Sequence, residues 1–125
     1  MSILGHGIDL VEVDRIAQML TTHGQHFLDR CYTPAEQAYC LPNKRRLEHL
    51  AGRFAAKEAI LKALGTGWRS GIAWTDMEIL ADPLGKPTLT LTGQSARFAQ
   101  QLGITRWHLS ITHVRTHAMA SAIAE

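Results

Sequence analysis

The chain has 125 residues, a length that fits one domain, with 46% hydrophobic and 19% charged residues, which excludes a disordered tail and fits a globular protein. The net charge of +2 is too small to argue for nucleic-acid binding from the total. No apolar run approaches the ~18 residues of a membrane span, so neither nucleic acid nor membrane is an expected partner.

MSILGHGIDL lacks a basic start, a long apolar stretch and a small-residue cleavage site, so no signal peptide is expected and a cytoplasmic location is. Residues 2–8 read as a short strand entering the glycine-containing segment Gly5-His6-Gly7-Ile8-Asp9. Asp9 and Glu12 have the spacing of a capping box, and Val13, Ile16, Ala17 and Leu20 mark one face of the helix that follows, closed by His23-Gly24. Thr33-Pro34-Ala35-Glu36 is a strong helix start. That helix runs to about Cys40, where Leu41-Pro42-Asn43 breaks it. The best helix is 47–64, rich in good helix formers, with Leu47, Leu50, Ala51, Phe54 and Leu61 on one stripe and Gly65-Thr66-Gly67 as the stop. Residues 75–81 and 88–92 alternate around the turn Asp82–Pro87 and read as a hairpin. Residues 94–102 form a short helix, 106–112 a strictly alternating strand, and 118–124 a final strand of small residues. The order predicts one α+β domain over 1–125, with an antiparallel sheet packed with helices.

Residues 44–69 hold seven basic groups and two acids, which suggests an anionic ligand, although on charge alone a solvated helix face is the favoured reading. Within this segment Glu58 falls between Phe54 and Leu61, near the middle of the apolar stripe. A carboxylate there is costly unless it is paired or binds a metal. Asp9, beside two glycines, is the second candidate; a helix cap would also explain it. Two carboxylates from different elements with cations nearby suit Mg²⁺ completed by water and phosphate oxygens. Arg53, Lys57 and Lys62 would then be phosphate clamps, although Glu58 and Lys62 also have ordinary i,i+4 pairing. No phosphate-binding loop of the G-x-x-x-x-G-K-[ST] type is present. His108, His113 and His117 lack zinc spacing, and Ser110 has no nucleophile elbow. Trp68 and Trp74 could stack on a base or serve the core. Cys31 and Cys40 read as free thiols.

Several blocks fall in register along the whole chain: Gly7-Ile8-Asp9-Leu10-Val11-Glu12 with Arg15-Ile16, then Leu50-Ala51-Gly52-Arg53-Phe54-Ala55-Ala56-Lys57-Glu58-Ala59, Lys62-Ala63-Leu64-Gly65-Thr66-Gly67, Gly85-Lys86-Pro87 and His108-Leu109-Ser110-Ile111-Thr112-His113. In that order they resemble the short bacterial 4′-phosphopantetheinyl transferases, the holo-acyl-carrier-protein synthases. The resemblance implies that fold and transfer of phosphopantetheine from coenzyme A to a serine of apo acyl carrier protein, with release of 3′,5′-ADP. It implies Mg²⁺ on Asp9 and Glu58. Arg53, Lys57, Lys62 and Gly65 would lie around coenzyme A, with Lys62 also catalytic. His113 would arrive from a neighbouring subunit of a homotrimer, and Arg15 would face the acidic helix of the carrier protein. The serine hydroxyl needs a base, for which a metal-bound water and Glu58 both qualify.

Overall fold

The structure is a computed structural model and describes residues 2–68 and 71–125; Arg69 of the basic segment lies outside them. Strand β1 spans Gly5–Glu12, followed by helices α1 (Val13–His23), α2 (Gln25–Cys31), α3 (Pro34–Cys40) and α4 (Arg46–Leu64). After a single 3₁₀ turn at Trp74–Asp76 come β2 (Met77–Ala81), β3 (Pro87–Leu91), α5 (Gly93–Gln101), β4 (Trp107–His113) and β5 (His117–Ala124). The α+β expectation holds, but the strands divide into a three-stranded antiparallel sheet, ordered β1-β5-β4, and a separate β2-β3 hairpin.

The three-stranded sheet lies on α4, and small residues let the two come together. Ala118, Ala120, Ala122 and Ala124 alternate along β5 and are all buried. On α4, Ala51, Ala55, Ala59 and Ala63 recur at a spacing of four and are equally buried. Gly5 and Gly7 of β1 sit against the backbone of Ala63 and Ala59, where a Cβ would collide with the carbonyl oxygens. These glycines are required by close approach, not by a turn.

Two expectations fail for one reason. Strand β1 continues to Glu12, so Asp9 lies inside it, opposite Ala120, and Glu12 rather than Asp9 is the N-cap of α1, without a side-chain cap bond. Pairing with β5 holds the backbone extended up to Val13, whose N–H bonds the Thr116 carbonyl at 2.9 Å. Tertiary pairing thus overrides the local capping signal. Helix α2 was not expected. Gly24 takes φ 52° and breaks α1, and a second short helix starts at once, burying Phe27, Leu28 and Cys31. The capping box at Thr33 and Glu36 is present as read.

Candidate active site

Helix α4 is covered on nearly every side, with buried residues at each turn from Leu50 to Leu64. Beyond its first turn, the positions left open are Phe54 and Glu58, both half-buried, and exposed Lys62. Their spacing of four makes them one ridge. Glu58 is therefore not the centre of a core-facing stripe, as the periodicity suggested. It lies on the seam where the covering elements part. The stripe reading failed because almost every other position of this helix is also buried.

Asp9 of β1 and Lys62 meet at that seam. Lys62 Nζ lies 3.1 Å from Asp9 Oδ1 and donates to the Ile8 carbonyl at 2.9 Å. Burial pushes the Glu58 carboxyl above the ordinary carboxylate range, and the charge of Asp9 pushes the same way; Lys62 and Arg15 of α1 oppose them. Four of the expected site residues are thus brought together: Asp9, Glu58, Lys62 and Arg15. Gly65 follows as the C-cap of α4 at φ 76°, and its N–H bonds the Lys62 carbonyl at 3.0 Å. Its conformation explains the glycine, since a side chain there would meet nothing within 4 Å.

Two half-buried carboxylates and a lysine offer hard oxygen donors beside a cation. Among the described residues no group of three or more His, Cys, Asp or Glu could hold a metal. The donor set fits Mg²⁺, which commonly takes one or two carboxylates and completes its shell with water and phosphate. It does not fit zinc.

Lys57 requires a correction. Its ammonium is fully buried, 2.7 Å from Glu36 Oε1 and 2.6 Å from the Cys31 carbonyl oxygen. Burial lowers its pKa, and Glu36 works against that shift. An ammonium buried in the core and bonded to Glu36 and the Cys31 carbonyl is no phosphate clamp. At one residue from Glu58 it points about 100° away around the helix.

Arg53 and His113 lie elsewhere. They line a second cavity with Tyr39, His49, Gly85 and Pro87. Arg53 and Glu58 are five residues apart, or about 140° around α4, so the two groups serve different faces. Arg53 Nε donates to the Ile79 carbonyl at 3.0 Å and its guanidinium lies 4.6 Å from the Tyr39 ring centre. His113 Nδ1 is 2.8 Å from Glu48 Oε1, and its ring is 5.3 Å from that of His49. Burial pushes His49 below the ordinary histidine range, and Arg53 and His113 push the same way against Glu48.

Arg15 also borders a cavity of about 420 Å³ whose apolar wall includes Met19, Phe27, Phe54 and Trp74. His23, His26 and Arg30 add basic groups to it. Trp74 stacks on Phe54 at 5.1 Å and on Trp68 at 6.2 Å between ring centres. His26 and Arg30 escaped the sequence reading because they ride on α2. Glu36, Tyr39 and Glu48 escaped it as partners of other groups, since only the cap was legible at Glu36. Cys31 and Cys40 are free and buried; burial raises both thiols, Cys40 to about 11.

An α+β fold with two half-buried carboxylates and a lysine, shared between its central helix and the adjoining strand, suits an enzyme that handles phosphate. The sequence matches the profile of the 4′-phosphopantetheinyl transferase superfamily over residues 5–120. A holo-[acyl-carrier-protein] synthase from Koribacter versatilis is 51% identical over 98% of both chains, and one from Solibacter usitatus is 49% identical over the same shares. The crystal structure of the Neisseria meningitidis holo-[acyl-carrier-protein] synthase superposes with a TM-score of 0.89 at 34% identity, covering 99% of both chains. The Helicobacter pylori enzyme in complex with coenzyme A gives 0.84 at 30% identity, covering 96% of this chain and 99% of that one. The chain belongs to the 4′-phosphopantetheinyl transferase superfamily and is an enzyme of that class.

Proposed function

We propose that this enzyme transfers phosphopantetheine from coenzyme A to a serine hydroxyl of apo acyl carrier protein, with Mg²⁺, releasing 3′,5′-ADP. The product would be holo carrier protein for fatty acid biosynthesis in the cytoplasm. The observation that carries this reading is the seam on α4, where Glu58 and Lys62 meet Asp9 of β1. The serine oxygen attacks the β-phosphorus, a new P–O bond forms, and the bridging pyrophosphate bond breaks toward the nucleotide. Mg²⁺ on Asp9 and Glu58 would supply Lewis-acid charge at the pyrophosphate oxygens when bound. Lys62, already held at Asp9 and the Ile8 carbonyl, directs its remaining donor capacity at the same phosphates. The serine proton would go to a base, for which Glu58 and a metal-bound water both qualify. Catalysis of this kind rests on positioning and charge rather than on a covalent enzyme intermediate. Arg15, with His23, His26 and Arg30 around the apolar cavity, suits an acidic carrier-protein helix, and coenzyme A is the co-substrate.

The working assembly in this reading is a homotrimer. Asp9 and Glu58 lie on one side of the chain and Arg53 and His113 on another, so one ligand would meet both sets where two copies adjoin. The outer face of the three-stranded sheet supports this. Ile8 and Leu10 are 51% and 62% exposed there, and Met119 sits directly across from Leu10. A contiguous exposed apolar face marks an interaction surface.

The test is the intact mass of purified apo acyl carrier protein after incubation with this enzyme, coenzyme A and Mg²⁺. A gain of one phosphopantetheine is expected, lost with EDTA, restored by Mg²⁺, and lost in Glu58→Gln and Asp9→Asn. Full transfer by Glu58→Gln would remove the assignment.

A further inference from the structure

The buried Lys57–Glu36 pair has no part in the reaction just described, yet it is tied to residues that do. Glu36 is saturated. Its Oε1 accepts Lys57 at 2.7 Å and the Thr33 N–H at 2.9 Å, and its Oε2 accepts the Ile79 N–H at 3.0 Å. Ile79 is the middle residue of β2, and its carbonyl is the group that accepts Arg53 Nε. Strand β2 pairs on one side only, with β3. Both peptide groups of Ile79 therefore lie on the strand's outer edge, and two side chains close what would otherwise be an unpaired edge.

That edge is close to the ligand side of the second cavity. The turn of the same hairpin brings Gly85 and Pro87 to the cavity wall, beside Arg53 and His113. Tyr39, one turn after Glu36 on α3, lies under the Arg53 guanidinium. With Nε given to Ile79 and its guanidinium carbon over the Tyr39 ring, Arg53 keeps its terminal NH₂ groups for a ligand in a set direction. A continuous set of contacts runs from Cys31 through Lys57, Glu36 and Ile79 to Arg53 and Tyr39.

We propose that Lys57 and Glu36 are positioning residues of the coenzyme A site: they hold the Ile79 peptide, and through it fix the Arg53 guanidinium at the cavity wall. The proposal rests on the function proposed above. Lys57 itself does not touch the ligand.

The test is a double-mutant cycle on coenzyme A. Lys57→Met with Glu36→Gln removes both charges by groups of similar shape and leaves no lone buried charge. Arg53→Ala is expected to raise KM for coenzyme A by about tenfold or more, the worth of a charged hydrogen bond. The pair substitution should raise the same KM severalfold, with kcat and the KM for carrier protein changed by less than about twofold. In the Arg53→Ala background the pair substitution should add nothing. A rise that multiplies in that background overturns the proposal. If the double variant does not fold, Lys57→Gln with Glu36→Gln, which keeps a hydrogen-bond donor at position 57 and likewise leaves no lone buried charge, enters the same cycle. A second readout needs no turnover: solvent exchange of the Ile79 N–H and the Arg53 Nε–H, followed by NMR. Both should exchange faster in the variant, and unchanged protection of Arg53 overturns the coupling. Failure of the wild type to modify carrier protein would instead sink the proposed function, while the exchange measurement would still decide the coupling.

Discussion

Glu58 and Lys57 are sequence neighbours with opposite fates. Lys57 is buried with a partner that satisfies it, whereas Glu58 is half-buried beside a second acid. The cost of that arrangement has a sign that can be checked. A carboxyl whose pKa is raised by folding binds its proton more tightly in the folded state than in the unfolded one. Its contribution to stability is thus complete at low pH and is lost as pH rises from about 4.3 through the raised folded value. Without metal, Glu58→Gln should therefore melt at a higher temperature than wild type at pH 7, and the difference should vanish below about pH 4. Added Mg²⁺ should raise the melting temperature of the wild type and not that of Glu58→Gln. Thermal melts across pH, with and without Mg²⁺, provide the check; a less stable Glu58→Gln at neutral pH would contradict the assigned shift.

Among the elements, α4 dominates because it serves two surfaces at once. Its alanine row carries the sheet, and its Phe54–Glu58–Lys62 ridge carries the site. The separation between β1 and α4 sets where Asp9 sits relative to Glu58, and the glycines of β1 set that separation. Gly7→Ala should push a methyl into the Ala59 carbonyl and destabilise the chain by at least about 2 kcal/mol, measured by denaturant unfolding. A Gly7→Ala protein of unchanged stability would mean that the helix can shift away freely. The boundaries of α3 and α4 were legible within a residue or so from capping and propensity. Strand β1 was read as 2–8, three residues early at its start and four at its end, and α2 was missed. The first error came from sheet pairing, which no local signal records. The second came from a glycine whose positive φ turns the chain without ending helical structure.

In the whole molecule, two sets of candidate groups face different ways and an apolar sheet face lies open. In the proposed assembly each site would draw Asp9, Glu58 and Lys62 from one copy and Arg53 and His113 from the next, which would account for both observations. Wild type should sediment as a trimer. Leu10→Glu, on the exposed sheet face, should stay folded, sediment as a monomer and lose transfer activity. Glu58→Gln and His113→Ala should each be impaired alone. After equal mixing and subunit exchange, about a quarter of the sites should regain both intact sets. No recovery on mixing, with exchange shown by mass, would place both sets in one subunit's site.

The sequence by itself determined the α+β order, the central helix, the cap at Thr33 and the residue types of the proposed site. Capping, propensity and alternation are local, and the motif blocks lie in register along the chain. Only the tertiary structure decided which basic residues are available. Arg53, Lys57 and Lys62 look alike in the sequence, on one helix and within nine positions. Their surroundings come from elements far away along the chain: Glu36 claims Lys57, Ile79 and Tyr39 hold Arg53, and Asp9 meets Lys62. Helical periodicity reports the direction a side chain takes from its axis. What occupies that direction is set by the packing of the other elements, and that is why one lysine lies at the site and another in the core.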